Sequence, residues 1–138
     1  MQEPSFPVYD SVGGEPTFQR LVDAFYARVE ADALLRPLFP ADLAEGKRAQ
    51  RLFLIQFFGG PPAYALERGH PRLRMRHAPF RINRAARDRW LGHMLAAIDE
   101  VGIDEPARTV MRDYFERASL QMINVDVDVG ELGGAGGR

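Results

Sequence analysis

The chain has 138 residues, of which 46% are hydrophobic and 27% are charged, and it contains no cysteine. This length predicts one domain, and the lack of cysteine excludes a disulfide framework, a thiolate metal site and a cysteine nucleophile. The formal net charge of -1 gives no global attraction to nucleic acid or membrane, and neither a membrane span nor a signal peptide is recognisable, so we expect a cytoplasmic protein without nucleic-acid or membrane partners.

The first half of the chain predicts two long helices joined by a buried corner. Apolar residues recur at helical spacing from Phe18 to Val29, after two glycines and Pro16. Residues 33–40 hold two prolines among four large apolar residues, which favours a buried helical turn. A second long helix is predicted from Leu43 to Phe58, and the Gly-Gly-Pro-Pro run that follows should end it.

The second half predicts a long loop, two further helices and a tail. We expect residues 63–80 to be mostly loop, with at most a short helix around Leu73 to His77. Asn83 should cap a helix that ends at Gly102, and Asp104 should cap a last helix. The glycine-rich tail, residues 126–138, is predicted to be disordered. Since no alternating strand pattern occurs, the prediction is an all-α domain over residues 1–125 with four principal helices.

Three polar side chains on the apolar faces of three predicted helices are candidates for a ligand site. They are Tyr26, Gln50 and Trp90. Taken singly, each is most simply a core residue bonded to a backbone acceptor, because an unpartnered buried donor costs about 1–3 kcal/mol. If the three converge, they need a shared acceptor, and an apolar pocket with a few donors is typical of a ligand site.

The three histidines, His70, His77 and His93, lack the spacing of a zinc helix, but a single histidine can hold haem iron in a hydrophobic slot. His70 lies in a Gly-His-Pro turn, and His93 is predicted to be a hydrogen-bonded core residue. His77 is favoured as a ligand, because the short rigid backbone before Pro79 would set its ring orientation. The large apolar residues that could line such a slot are Phe39, Phe53, Phe57, Leu73, Phe80 and Met94.

The eight arginines between residues 68 and 89 form the one basic cluster of the sequence. They are Arg68, Arg72, Arg74, Arg76, Arg81, Arg84, Arg87 and Arg89. Few aromatic residues lie among them, which disfavours a nucleic-acid surface. A solvated charged surface is the simplest interpretation, and a bidentate grip on carboxylates is the second.

Several motifs together resemble the truncated, two-over-two globins, and specifically their second group. The most specific motif is the run GHPRLRMRHAPF from Gly69 to Phe80, followed by Trp90. Three shorter motifs agree with it, namely Phe25-Tyr26, Phe39-Pro40 and Gly59-Gly60-Pro61-Pro62. The similarity extends from Tyr9 to Asn124, so it covers nearly the whole predicted domain.

The resemblance implies a two-over-two helical sandwich around a haem b, with His77 as the proximal iron ligand. It also implies that Arg76 contacts a haem propionate, with Tyr64 as a second candidate, and that Phe39 stacks on the porphyrin. Tyr26, Gln50 and Trp90 would then be the distal, ligand-facing residues. With the apolar slot, the residues expected to bind the cofactor are Phe39, Phe53, Tyr64, Arg76, His77, Phe80 and Trp90.

The resemblance further implies a five-coordinate haem protein for O2 and other small diatomic ligands, and two functions stay open. One is the storage or capture of oxygen, and the other is an oxidoreductase that oxidises nitric oxide or weakly reduces peroxide. If Tyr26 and Trp90 each contribute about 1–1.5 kcal/mol to ligand binding, they slow release by roughly 30- to 160-fold, which favours redox chemistry over delivery.

Gly46 stands where larger globins place a distal histidine, so the ligand entrance is expected to be open. No flavin or nicotinamide fingerprint occurs, so turnover would need a separate reductase. A helical interaction module without haem would leave the three donors unexplained.

Overall fold

The computed structural model describes residues 6–69 and 82–124. Within these ranges the chain is helical and contains no strand, which confirms the predicted all-α class. The elements in chain order are α1 (Val8–Ser11), α2 (Glu15–Glu30), a 3-10 turn (Arg36–Leu38), α3 (Ala44–Phe57), α4 (Ala63–Arg68), α5 (Arg84–Val101) and α6 (Ala107–Leu120). No helix of the described ranges is long and apolar enough to cross a membrane.

The four long helices confirm the predicted ones, and local signals explain their ends. The side chain of Asn83 caps α5, because its Oδ1 accepts a hydrogen bond of 2.8 Å from the Ala86 N–H. Gly102 ends the same helix in the left-handed conformation at φ 81°. After α3, a Cβ at Gly60 would lie only 2.6 Å from a methyl carbon of Ile55, so the turn that ends this helix requires glycine.

The four long helices form two pairs that pack on each other. In one pair α2 packs against α3, in the other α5 packs against α6, and α2 joins the pairs by packing along α5. Phe58, at the end of α3, lies in the shared core, with its ring 6.1 Å from that of Phe18, 5.4 Å from Tyr114 and 6.2 Å from Phe115. The arrangement is the two-over-two sandwich that the resemblance implies.

The loop predicted for residues 63–80 is wrong over its first third, where the chain forms α4. Six residues are too few for a hydrophobic period to reveal a helix, and contacts from α3 stabilise this one. The Ala65 N–H donates to Gln56 Oε1 of α3 at 2.8 Å, and Gly69 ends the helix at φ 75°. Two ion pairs also join α4 to α3, Arg48–Glu67 and Arg68–Glu45. The helix expected around His77 lies outside the described residues.

The predicted cap of the last helix is also wrong, because the helix begins at Ala107, and Pro106, two residues after Asp104, occupies the cap position without a side-chain cap bond. Asp104 offers only its carbonyl oxygen, to the Arg108 N–H at 3.0 Å. Glu105 provides the side-chain acceptor instead: its Oε1 accepts from the backbone N–H of Thr109 at 3.0 Å and from the Thr109 hydroxyl at 2.7 Å. Helix α1 was not predicted at all, since its four residues carry no periodic signal. The tail predicted to be disordered, residues 126–138, lies outside the described ranges.

Candidate functional site

Tyr26 lies on the buried face of α2, and glycine gives its hydroxyl room. The side chain is 5% exposed, and its ring meets those of Phe25 and Phe39 edge-on at 5.3 and 5.8 Å. A Cβ at Gly46 of α3 would lie 3.1 Å from the Tyr26 hydroxyl oxygen, so that oxygen lies against the glycine. Burial raises the pKa of Tyr26 to about 12, which keeps the phenol protonated and able to donate at neutral pH.

Trp90 approaches the same aromatic cluster from α5. Its half-buried indole packs against Phe25 at 5.1 Å and against Phe115 of α6 at 5.9 Å. Phe25 therefore contacts both Tyr26 and Trp90. The structure brings these two predicted donors, from two different helices, into contact with one phenylalanine.

Gln50 is the third predicted donor, and its side-chain oxygen has no hydrogen-bond partner among the described residues. It lies on α3 one helical turn after Gly46, and so on the face that approaches the Tyr26 hydroxyl. The side-chain oxygen, Oε1, is also buried. Because a buried acceptor without a donor costs about 1–3 kcal/mol, such an atom is typical of a pocket completed by a ligand. This donor set suits the distal side of a haem, where a small polar ligand binds.

The apolar stripe of α3 continues beyond Gln50 as an aromatic wall. The half-buried ring of Phe53 stacks on Phe57 at 5.9 Å and meets Tyr64 of α4 edge-on at 5.5 Å. Tyr64 itself is 3% exposed, so α4 supplies a buried aromatic ring to the wall. An apolar, aromatic wall beside a few polar atoms suits a porphyrin.

The proximal half of the predicted site lies outside the described residues. His77, Arg76 and Phe80 fall within residues 70–81, as does His70, and their predicted roles stay predictions. Phe39, by contrast, is described: it is half-buried after the 3-10 turn, and its ring contacts Tyr26.

A separate cleft of about 260 Å³ opens between α2 and α3, but none of the predicted site residues lines it. Its polar lining includes Asp23 and Lys47, which pair with each other at 3.3 Å, and Arg51, whose Nε lies 3.8 Å from Glu15. This cleft is charged and its basic groups already have acidic neighbours, so it does not suit an apolar cofactor.

A buried carboxylate that contacts the helix of Trp90 was not singled out from the sequence. Asp32, just after α2, has a side chain only 1% exposed, and it accepts from Arg89 Nε at 2.9 Å and contacts His93 Nε2 at 2.6 Å. The Arg89 guanidinium, with help from His93 and two backbone N–H groups, holds the pKa of Asp32 well below its usual range, although burial opposes this. An available signal was the spacing of Arg89 and His93, which places both on one face of α5.

These contacts also bear on two predictions about basic residues. His93 is hydrogen-bonded, as predicted, but it is half-buried at the rim of the core. In the arginine cluster, Arg68, Arg87 and Arg89 each pair with a carboxylate of this chain. These are separate ion pairs with three different carboxylates, so the bidentate grip of several arginines on a pair of carboxylates stays a prediction.

Comparison with known proteins gives consistent matches over nearly the whole chain. The model of the bacterial-like globin family matches residues 7–124. The Group 2 truncated hemoglobin YjbI of Bacillus subtilis (strain 168) is 44% identical over 116 residues, which are 84% of this chain and 87% of that protein. The crystal structure of hemoglobin from the thermophilic phototrophic bacterium Chloroflexus aurantiacus is similar with a TM-score of 0.85 at 62% identity, covering 89% of this chain and 100% of that one. The X-ray structure of truncated oxygen-avid haemoglobin from Bacillus subtilis gives a TM-score of 0.82 at 43% identity, with 86% and 100% covered.

Proposed function

The chain belongs to the bacterial-like globin family, as a group II truncated haemoglobin, and from that premise we propose that it binds haem b through His77 and holds dioxygen by hydrogen bonds from Tyr26 and Trp90. As a globin it is a haem protein that binds small ligands. The observation that carries the finer proposal is the distal group, in which a protonated Tyr26 hydroxyl lies against Gly46. A structural relative described as oxygen-avid supports it.

Haem iron supplies the reversible bond to a diatomic ligand and shifts electron density onto it. The chain's own residues then decide how strongly a polarised ligand is held. Tyr26 and Trp90 are neutral donors fixed by packing against Phe25, so they need no reorganisation before they donate. The amide of Gln50 carries an NH2 group that donates, and its Oε1 is not tied to another described residue, so Gln50 can replace whichever of the two donors is lost.

On the proximal side of the haem, opposite Tyr26 and Trp90, His77 would hold the iron and Arg76 would pair with a propionate. The wall formed by Phe53, Phe57 and Tyr64 would exclude water from one face of the porphyrin. Exclusion of water strengthens the distal hydrogen bonds, because electrostatic interactions gain strength in a low dielectric.

A second candidate function, nitric oxide dioxygenation, is favoured by the pairing of two donors around one phenylalanine. If Tyr26 and Trp90 slow the release of dioxygen, nitric oxide would have time to react with it to nitrate. The haem would supply one electron for this reaction, and a separate reductase would have to restore it. Weak peroxidase activity is the lesser variant, because Gly46 provides no general base at the position where larger globins place a histidine. Nitrate formation from nitric oxide, oxygen and a chemical reductant tests this candidate.

The proposal is tested by absorption spectra of the purified full chain, recorded before and after dithionite and then carbon monoxide. We expect a haem spectrum that becomes five-coordinate ferrous and shifts on carbon monoxide binding. His77→Ala should lose haem, whereas the matched variant His70→Ala should retain it. A colourless protein that refuses added haem, or an unchanged ferrous spectrum in the His77 variant, would contradict the assignment.

A further inference from the structure

We propose that Asp32 is a positioning residue for the distal pocket, the pocket formed by Tyr26, Gln50 and Trp90. In this role Asp32 holds the indole of Trp90 in place through Arg89 and His93. The proposal rests on the proposed function only in treating Trp90 as a ligand donor. The mechanical part, that the carboxylate fixes the indole, follows from contacts within the chain alone.

Four donors converge on this one buried carboxylate. Asp32 Oδ1 accepts from the backbone N–H of Leu34 at 2.9 Å and of Leu35 at 3.2 Å, while Oδ2 accepts from Arg89 Nε at 2.9 Å and contacts His93 Nε2 at 2.6 Å. The Asp32 side chain is 1% exposed. One side chain therefore ties the corner after α2 to the middle of α5.

The placement of these bonds along α5 explains why they act on the indole. Arg89 and His93 are one helical turn apart, and Trp90 lies between them in sequence. Two bonds a turn apart fix both the rotation and the axial position of α5 against α2. Trp90 makes the second attachment between the same two helices, through its ring contact of 5.1 Å with Phe25.

The same carboxylate also restrains the side of the pocket that carries Tyr26. Its bonds to the Leu34 and Leu35 N–H groups shape the turn that leads to Phe39. The Phe39 ring in turn meets Tyr26 edge-on at 5.8 Å. Asp32 thus lies where the supports of both distal donors meet.

The ionised state of the carboxylate makes the arrangement specific. A carboxylate only accepts, so His93 must carry its proton on Nε2. Asp32→Asn would keep an oxygen for the Leu34 and Leu35 N–H groups but would turn an amide N–H toward Arg89, where two donors would then face each other. His93 could adapt by changing tautomer, whereas Arg89 Nε would keep only its longer bond of 3.1 Å to the retained Oδ1. This variant therefore weakens the attachment of Arg89 and leaves the other bonds largely in place.

The chain offers a matched control in a second ion pair that joins the same two helices. Arg28 of α2 donates to Glu100 of α5 at 2.6 Å, where Glu100 is exposed and Arg28 half-buried, and the described residues show no hydrogen bond from this pair to the corner or to Trp90. Exposed pairs of this kind contribute little to stability or geometry. Glu100→Gln should therefore leave the indole in place.

The experiment uses the fact that Trp90 is the only tryptophan of the chain. Full-length protein labelled with 5-fluorotryptophan gives a single 19F resonance, recorded for the ferrous carbon monoxide form. We expect Asp32→Asn and His93→Phe to shift or split this resonance, Arg89→Lys to shift it less than Arg89→Gln, and Glu100→Gln to leave it unchanged. An unchanged resonance in Asp32→Asn, or an equal change in Glu100→Gln, would overturn the proposal. If Asp32→Asn does not fold, the same comparison is made with Arg89→Gln, which keeps the carboxylate, and an unchanged resonance in that variant would overturn the proposal.

Oxygen release provides the second readout. Asp32→Asn should accelerate release by up to roughly 5- to 13-fold, the loss of one donor's hydrogen bond, and should add nothing in a Trp90→Phe background. An equal acceleration in both backgrounds would show that Asp32 does not act through Trp90. If Trp90→Phe alone leaves oxygen release unchanged, Trp90 does not donate to the ligand, and that part of the proposed function is wrong. The 19F resonance can be measured in the purified chain with or without haem. It therefore still decides whether Asp32 holds the indole.

Discussion

Replacing Tyr26 with phenylalanine removes one hydroxyl and little else, which makes it the sharpest test of the distal pocket. The ring is held edge-on by Phe25 and Phe39, and phenylalanine preserves both contacts without leaving a cavity. The lost quantity is one hydrogen bond to the ligand, about 1–1.5 kcal/mol, so oxygen release should accelerate by roughly 5- to 13-fold. Because burial raises the pKa of Tyr26 to about 12, the acceleration should be constant across the neutral pH range.

Stopped-flow release of oxygen and of carbon monoxide, measured on the same preparations, gives the assay. Carbon monoxide carries little charge for a donor to stabilise, so its release should change less than that of oxygen. Tyr114→Phe is the matched control, because Tyr114 is 4% exposed, its pKa is likewise raised by burial, and its ring packs in the core on α6. That variant should release oxygen at the wild-type rate.

Trp90→Phe should have a similar effect, and the double variant should depart from additivity, because both donors share one acceptor and Gln50 can replace a lost bond. Parallel acceleration of oxygen and carbon monoxide release would refute the reasoning, since the two residues would then act as steric walls. Equal acceleration in Tyr114→Phe would assign the effect to general loosening of the core.

Three further predictions concern Gly46, Arg76 and Asp32. Gly46→Ala should push the Tyr26 hydroxyl aside, since its Cβ would lie 3.1 Å away, and speed oxygen release by less than Tyr26→Phe does; an unchanged rate would show that the hydroxyl has room. Arg76→Glu should speed haem loss to apomyoglobin by roughly 2- to 30-fold, less than His77→Ala, and equal rates would place Arg76 elsewhere. The pKa of Asp32 is lower in the folded protein than in the unfolded chain, where it is about 3.9, so the ionised carboxylate stabilises the fold above that pH and the stabilisation is lost as pH falls through the folded pKa. The loss of unfolding free energy in Asp32→Asn, measured in urea, should therefore shrink in acid. A loss that stays constant with pH would contradict this.

The family and the two-over-two fold could be predicted from the resemblance, because its motifs are spread over most of the chain. The comparisons with known proteins confirm both predictions. Of the distal residues, the structure brings Tyr26 and Trp90 to one phenylalanine, and it places Gln50 a turn from Gly46. Their roles toward a ligand, and those of His77 and Arg76, stay predictions.

The long helices and most of their ends can be predicted from the sequence, because period and caps are local properties: the side chain of Asn83 caps α5 just where the sequence predicts a cap. Helix α4 depends instead on packing, since its six residues are held by Gln56 and by ion pairs from α3. The role of Asp32 likewise depends on packing, since that carboxylate is buried and bonded only where the end of α2 crosses α5. Partners 57 and 61 residues away along the chain leave no periodic trace, so the residue that ties the distal helices together becomes visible only when they are packed.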